Sequence, residues 1–193
     1  ILRGAMSIFD PLGFVTPTTI KGRMLVQDIW RTKISWDEVL SMELTIKWQE
    51  WLEEVKQLQY FKIPRCYFKE LQVEEMELHI FVDASEEAYA AVAYLRHMYV
   101  KDSYKTMLIV ARAKVAPLKP STIPRLELQA AVLGCRLAHS IERDINTSFD
   151  RRIFWSDSMT VLHWIKSDPR NFKQFVSNRI GEVQELSKTE EWR

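Results

Sequence analysis

The run Leu78-His79-Ile80-Phe81-Val82-Asp83-Ala84-Ser85 decides the fold, because it is an apolar strand-like segment that ends in a carboxylate. A second run, Ile153-Phe154-Trp155-Ser156-Asp157-Ser158, has the same form. Between them, Glu127 lies near the start of a long helical segment. A carboxylate is costly where apolar strands end in a core, unless a cation meets it there. Three such carboxylates, Asp83, Glu127 and Asp157, therefore predict divalent metal ions and phosphate chemistry.

The periodicity around these runs predicts the order βββαβαα, an α/β pattern that lacks a closing strand. Strands are predicted at residues 77–83, 88–96, 106–113 and 152–157, and the long helix at 124–145. The fourth strand is apolar on both faces, which predicts a central position for it and a core position for Trp155. If the first and fourth strands are parallel neighbours, Asp83 and Asp157 emerge at the ligand-binding end of the sheet. A helix packed across the sheet can present Glu127 to the same point.

Residues 1–72 have a different, mainly helical pattern. Pro17 after Thr16 is typical of a helix start, and this helix is predicted to continue through Trp30. Apolar residues at three- and four-residue spacing predict a second, amphipathic helix over 42–60. We place a domain boundary near residue 72, between a helical domain at 1–72 and an α/β domain at 73–193.

The composition excludes several classes of protein. The chain is 47% apolar and 27% charged, which favours a folded core over disorder. Its net charge of +1 excludes binding of nucleic acid by bulk basicity alone. Two distant cysteines, Cys66 and Cys135, argue against a disulfide or zinc framework and favour a reducing compartment. No apolar run approaches the roughly 18 residues of a membrane span. The start, Ile-Leu-Arg-Gly, is typical of a piece of a longer polypeptide.

The chemistry of the three acids depends on their meeting in the fold. Hard oxygen ligands favour Mg²⁺ or Mn²⁺, and two such ions can activate a water and stabilise the leaving oxygen of a phosphodiester. One acid alone is better explained as a helix cap or a charge at a strand end, and Asp157 followed by Ser158 fits that explanation. All three acids in these elements together favour the metal site.

Three short motifs resemble, in order, the metal-binding motifs of ribonuclease H. They are Phe-Val-Asp-Ala-Ser at 81–85, Pro-Arg-Leu-Glu-Leu-Gln-Ala-Ala at 124–131 and Trp-Ser-Asp-Ser-Met-Thr-Val at 155–161. The run from Ala111 to Gly134 resembles the ribonuclease H region of BEL/Pao-type LTR retrotransposon polyproteins. The stretches Ser7–Phe14 and Trp36–Glu38 resemble the thumb or connection segment that follows the polymerase palm in those elements. The resemblance covers essentially the whole chain.

The resemblance implies a ribonuclease H-like mixed sheet, with three antiparallel strands and a parallel fourth. It implies an endonuclease that hydrolyses the RNA strand of RNA–DNA hybrids during reverse transcription, with Asp83, Glu127 and Asp157 holding two Mg²⁺ or Mn²⁺ ions. The implied partners are the hybrid and the polymerase and integrase of the polyprotein. The implied location is intracellular, in a cytoplasmic virus-like particle, without membrane association.

The sequence departs from the ribonuclease H pattern at the fourth acid, which usually follows the last strand. Asp168 and Glu182 come too early to match it, and the chain stops at Arg193, where that strand would begin. We therefore expect this fragment to bind metal poorly and to cleave weakly or not at all.

Basic residues dominate the stretch between Asp102 and Glu127, which contains no acid. Positive charge beside a metal site suits phosphate backbones, although a solvated strand face explains it equally well. Ser85 and Ser158 adjoin predicted ligands and could bond phosphate or a 2′-hydroxyl, but turn and cap roles explain them as well. The predicted substrate-binding residues are Arg125, Ser85, Ser158, Lys114 and Arg112, with Arg125 the strongest because of its closeness to Glu127.

Two other functions remain open. An aspartic peptidase is suggested by Asp83-Ala84-Ser85, which superficially resembles a catalytic Asp loop, and by the protease that such polyproteins encode. That chemistry needs two carboxylates that share a proton, normally in Asp-Thr/Ser-Gly loops of an all-β fold, and the predicted helices contradict it. A non-catalytic connection module that positions a hybrid is the second alternative, because the fourth acid is not found.

Overall fold

The chain folds into a helical region followed by an α/β region. This computed structural model describes residues 1–64, 75–100, 103–145 and 148–193, without the side chains of residues 99 and 100. The helices are α1 (Leu2–Met6), α2 (Thr16–Thr32), α3 (Met42–Gln57), α4 (Ile123–Ile145), α5 (Met159–Ile165) and α6 (Gln174–Leu186). The strands are β1 (Glu75–Ala84), β2 (Ala88–Val100), β3 (Ser103–Val115) and β4 (Arg151–Trp155). Short 3-10 helices lie at Leu58–Tyr60, Pro169–Asn171 and Thr189–Glu191.

The four strands form one mixed sheet in the order β3-β2-β1-β4. Antiparallel pairing joins β1 to β2 and β2 to β3, whereas β4 pairs with β1 in parallel. The α/β fold, with three antiparallel strands and a parallel fourth, is therefore confirmed.

The predicted central position of β4 is wrong. In the described sheet β4 is an end strand, and it stops at Trp155, two residues before its predicted end at 157. Phe154 is fully buried, but Trp155 is 38% exposed on the opposite face, so its predicted core position is also wrong. The residues of β4 are apolar on both faces because one face is buried in the core and the other forms an exposed aromatic surface.

Trp192 and Arg193 continue the sheet on the outer side of β4. The Arg193 amide donates to the carbonyl oxygen of Phe154 at 2.9 Å, and the Ser156 amide donates to that of Arg193 at 3.0 Å. The rings of Phe154 and Trp192 stack with centroids 4.7 Å apart. The end of the chain is thus held in parallel register beside β4.

One face of the sheet packs against α4, α5 and α6 and forms the main core. The alternate β1 residues Leu78, Ile80 and Val82 face these helices and are buried. Gly134 lets α4 approach the sheet closely, because an added Cβ would lie 2.5 Å from Cγ1 of Val82 and 3.1 Å from Cγ2 of Ile80. The long helix is therefore held against β1, the strand that carries Asp83.

The helical region has a smaller core and attaches to β3. Its buried Trp51 donates from Nε1 to the carbonyl oxygen of Thr18 at 2.8 Å, which joins α3 to α2. The Ala111 amide of β3 donates to the carbonyl oxygen of Leu12 at 2.8 Å. The two helices predicted at Thr16–Trp30 and 42–60 are confirmed within two or three residues. The predicted boundary near residue 72 lies outside the described residues and stays a prediction.

Candidate functional site

The parallel pairing of β1 with β4 fixes where two of the predicted acids lie. Phe81 and Trp155 are the last register pair, and their rings stack with centroids 5.9 Å apart. Asp83 and Asp157 each follow this pair by two residues. Both acids therefore lie at the same end of the sheet, at the carboxyl ends of two parallel strands, which is where α/β sheets commonly bind ligands.

Asp83 and Asp157 both have exposed side chains. Asp83 lies in β1 opposite Ala90 of β2, and its Oδ1 accepts a hydrogen bond from the Ala84 amide at 2.7 Å. Asp157 lies in the short connection between β4 and α5. Both side chains are accessible to solvent, so each can exchange water for a cation.

Glu127 is half-buried in the second turn of α4 and is tied to the end of β4. Its Oε2 accepts a hydrogen bond from Oγ of Ser158 at 2.6 Å. Ser158 is itself buried and caps α5, because its Oγ also accepts from the Val161 amide at 3.3 Å. One hydroxyl thus positions Glu127 beside the connection that carries Asp157.

The donor chemistry of the three acids fits Mg²⁺ or Mn²⁺, since carboxylate oxygens are the ligands these ions prefer. Their side chains do not converge closely, however. Within the part of the chain that the structure describes, no three His, Cys, Asp or Glu side chains form a group that could hold a metal ion. The assignment of Asp83, Glu127 and Asp157 as catalytic metal ligands stays a prediction.

The predicted substrate-binding residues have different surroundings. Arg125 is exposed, with Cζ 5.1 Å from the ring centroid of Phe175. Arg112 donates from Nη1 to the carbonyl oxygen of Pro11 at 2.6 Å, which ties β3 to the helical region. Ser85 accepts at Oγ from the Glu87 and Ala88 amides at 3.2 Å, as a turn residue does.

A buried ionic network that was not predicted from the sequence lies on the face of the sheet opposite the helices. Glu77 contacts Arg96 of β2, Arg151 of β4 at 3.3 Å and His79 at 3.1 Å. The other ring nitrogen of His79, Nδ1, accepts from Nε1 of Trp155 at 3.1 Å. The signal was the alternation of polar Glu77 and His79 with buried residues along β1.

The comparisons with known families agree with this architecture. The family model described as "Pao retrotransposon-like RNaseH-like domain" matches residues 1–158. The chain belongs to this family. The retrotransposon family and the ribonuclease H-like fold, both expected from the motifs, are confirmed for this Pao-type chain.

Three solved structures show weak overall likeness to the Pao-type chain. RNase H1 from the halophilic archaeon Halobacterium salinarum NRC-1 has 13% identity and a TM-score of 0.37, over 60% of this chain and 81% of its own. The prototype foamy virus protease-reverse transcriptase has 14% identity and a TM-score of 0.35, over 88% of this chain and 28% of its own. The NurA nuclease from Sulfolobus solfataricus has 11% identity and a TM-score of 0.35, over 76% of this chain and 55% of its own. No curated protein sequence matches the Pao-type chain.

Among the helices of the described residues, none combines the length and the apolar character that crossing a bilayer requires. The mixed sheet with packed helices also contradicts the all-β fold that the aspartic peptidase alternative needs.

Proposed function

We propose that this Pao-type chain is a metal-dependent ribonuclease H-type endonuclease region, which hydrolyses the RNA strand of RNA–DNA hybrids during reverse transcription. The observation that carries the proposal is the 2.6 Å hydrogen bond from Ser158 to Glu127. It brings the acid of α4 to the sheet end that carries Asp83 and Asp157. The family match supports the same chemistry.

In this proposal Asp83, Glu127 and Asp157 hold two Mg²⁺ or Mn²⁺ ions. Bound ions of this kind lower the pKa of a water and stabilise the leaving oxygen of a phosphodiester. Ser158 keeps Oε2 of Glu127 oriented, because a short hydrogen bond to a carboxylate restricts its rotamers. The exposed Asp83 and Asp157 leave this end of the sheet open to a polymeric substrate.

Arg125 is proposed to contact the phosphate backbone next to the acids. It lies two residues before Glu127 on α4, and its exposed guanidinium is free to reach solvent and substrate. Guanidinium groups suit phosphate because they donate two parallel hydrogen bonds. The proposed partners are the hybrid and the polymerase and integrase of the polyprotein, in an intracellular virus-like particle.

The test is cleavage of a hybrid labelled on its RNA strand, with Mg²⁺ or Mn²⁺ and with EDTA. The assay compares the 193-residue chain with a longer stretch of its polyprotein, because a further acid is expected after Arg193. Asp83→Asn, Glu127→Gln and Asp157→Asn should each lower the rate at least a hundredfold. Asp37→Asn, in the exposed connection between α2 and α3, is the matched control and should have no effect. Cleavage that does not depend on the metal ion, or the absence of cleavage by the longer polypeptide, would contradict the nuclease proposal.

A non-catalytic module that positions the hybrid is the second candidate. The observation that favours it is that no metal-holding group of three acids forms among the described residues. This function predicts that both the 193-residue chain and the longer polypeptide bind the hybrid without cleaving it. It also predicts that Asp83→Asn leaves the affinity for the hybrid unchanged.

A further inference from the structure

A polar and aromatic network on the outer face of the sheet, opposite the helices, ends two residues before Asp157. Trp155 is the last residue of β4, and its parallel register partner on this face is Phe81 of β1. The rings of Trp155 and His79 are nearly parallel, with planes 10° apart and centroids 6.1 Å apart. Nε1 of Trp155 donates to Nδ1 of His79 at 3.1 Å. The indole of Trp155 is therefore held from β1 at the point where β4 ends.

The partners of His79 determine which of its ring nitrogens carries the proton. The indole nitrogen of Trp155 can only donate, so Nδ1 of His79 must accept. Nε2 of His79 lies 3.1 Å from Oε2 of Glu77, and a carboxylate can only accept, so Nε2 must donate. The two contacts of the imidazole therefore require the same tautomer, with the proton on Nε2, and they support each other.

Glu77 is in turn held by arginines of the two neighbouring strands. Arg96 of β2 contacts Oε2, and Nη1 of Arg151 of β4 donates to Oε1 at 3.3 Å. The side chains of Glu77 and His79 are both largely buried. Charge-assisted hydrogen bonds to both oxygens fix the orientation of a carboxylate. The imidazole of His79 is thus presented to Trp155 in one direction.

The Asp157 carboxylate depends on the backbone for its position. Within the described part of the chain, neither a hydrogen bond nor an ion pair holds this carboxylate. Asp83, by contrast, lies inside the paired part of β1, and its Oδ1 accepts from the Ala84 amide. Asp157 lies two residues beyond the end of β4. Trp155 is thus the residue through which β1 holds the segment that carries Asp157.

We infer that His79 is a positioning residue of the proposed metal site, and that it sets the place of Asp157 relative to Asp83 through the indole of Trp155. This inference rests on the proposed function, because it takes both acids as metal ligands. Ser158 fixes Glu127 on the helix side of the sheet, whereas His79 acts from the opposite face. The segment that carries Asp157 is thereby held from both faces of the sheet.

The first experiment breaks the hydrogen bond between His79 and Trp155 from either end, in the polypeptide that cleaves the hybrid. His79→Leu removes the acceptor, and Trp155→Phe retains an aromatic ring but removes the donor. Each should lower kcat about tenfold, as the loss of a group that orients a metal ligand does, and leave KM for the hybrid unchanged. The double variant should be no slower than His79→Leu alone, because the contact is already lost. Losses that multiply in the double variant would overturn the inference.

Two further variants separate positioning from stability, which urea titrations measure. His79→Asn retains a side-chain oxygen that can accept from Trp155 but does not reach Glu77. It should restore most of the cleavage rate while the protein remains less stable than wild type. His139→Leu, which removes an exposed imidazole on α4, is the matched control and should leave the rate unchanged. If His79→Asn is as slow as His79→Leu, the rate follows stability and the positioning role is wrong.

A second measurement needs no substrate and follows the contact by proton–nitrogen NMR. In EDTA, the indole signal that is missing from Trp155→Phe identifies Trp155. This signal and the backbone amide signal of Asp157 should move together in His79→Leu and stay near their wild-type positions in His79→Asn. Mn²⁺, which broadens the signals of nearby nuclei, should be needed at about tenfold higher concentration to broaden Asp157 in His79→Leu. An Asp157 amide signal and a Mn²⁺ requirement that His79→Leu leaves unchanged would contradict the positioning role.

The two proposals fail separately. If the wild type never cleaves the hybrid, but His79→Leu moves the Asp157 signal and weakens Mn²⁺ binding there, the nuclease proposal is wrong and the positioning role stands. If the hybrid is cleaved with metal, and His79→Leu and Trp155→Phe cleave it as wild type does, the nuclease proposal stands and the positioning role is wrong.

Discussion

The hydroxyl of Ser158 donates to Oε2 of Glu127 at 2.6 Å and accepts from the Val161 amide at 3.3 Å. One small side chain therefore caps α5 and fixes the acid of α4. A serine at a helix start is ordinary in itself. Its contact with Glu127, 31 residues earlier in the chain, also positions one residue of the proposed metal site.

Ser158→Ala should lower the free energy of unfolding by about 1 kcal/mol, the usual contribution of a helix cap. It should also slow metal-dependent cleavage several-fold, because Glu127 loses its hydrogen bond. Ser158→Thr, which retains a hydroxyl, should restore both properties.

The matched control is Ser41→Ala, which removes the cap of α3 that accepts from the Leu44 amide. Ser41→Ala should lower the free energy of unfolding by a similar amount and leave the cleavage rate unchanged. Urea titrations and initial cleavage rates check both substitutions. Equal rates in Ser158→Ala and wild type would contradict the positioning role.

Gly134→Ala and Gly181→Ala should change stability in opposite directions. At Gly134 the new Cβ would lie 2.5 Å from Cγ1 of Val82, so α4 must move away from β1, at a cost of about 1–3 kcal/mol. At Gly181, inside α6, nothing lies within 4 Å, so alanine should stabilise the helix by up to about 1 kcal/mol. Urea midpoints of the two variants check this, and midpoints that shift in the same direction would refute the close packing of α4.

Glu77→Gln should destabilise the sheet by about 2 kcal/mol at neutral pH, because Arg96 and Arg151 lose charged hydrogen bonds to a buried carboxylate but keep contact with water. Glu53→Gln is the control, since Glu53 forms an exposed pair with Lys56 and should contribute under about 0.5 kcal/mol. Urea midpoints at pH 7 measure the difference.

The same network predicts a pH dependence. Burial raises the pKa of the Glu77 carboxyl, but hydrogen bonds from His79 and Arg96 outweigh it, and the pKa lies below the ordinary value of 4.5. The stabilisation is therefore fully present above about pH 4.5 and is lost as the pH falls through the folded-state pKa. The difference between wild type and Glu77→Gln should narrow on acidification below pH 4.5. A constant difference down to pH 2 would contradict this assignment.

Cys135 should resist alkylation in the folded protein. Burial raises the pKa of its thiol to about 12, although a contact with Ser187 opposes the rise, so the reactive thiolate is absent at pH 8. In a Cys66→Ser background, iodoacetamide should label Cys135 only after denaturant is added. Because the folded-state pKa is raised, stability should fall as the pH rises above about 9, where the unfolded thiol ionises. Rapid labelling of the folded chain at pH 8 would show that Cys135 is accessible.

The features that could be predicted from the sequence are those that depend on residues close together along the chain. Apolar runs and their terminal acids are visible along the chain, so the strands, the long helix and the common end of Asp83 and Asp157 were predictable. The burial of Glu77 was not, because it depends on Arg96 across the β1–β2 pair and Arg151 across the β1–β4 pair.

The exposure of Trp155 was not predictable from the sequence either. An apolar pattern on both faces of a strand cannot distinguish a covered face from an exposed aromatic surface, so Trp155 was wrongly predicted to lie in the core. The hydrogen-bonded pair of Arg136 and Glu182 was not predictable either, because these residues are 46 positions apart and meet only through the packing of α4 against α6.

The attachment of Leu12 to Ala111 has a consequence for how the sheet can grow. A free edge strand is a template for any other extended chain. Near Ala111 the backbone of the helical region already uses that edge of β3, and Gly13 lies against the Ala111 carbonyl. Beside β4, at the opposite edge, Trp192 and Arg193 lie in parallel register. Segments of the chain itself therefore lie against both edges of the described sheet, which limits edge-to-edge pairing with other extended chains.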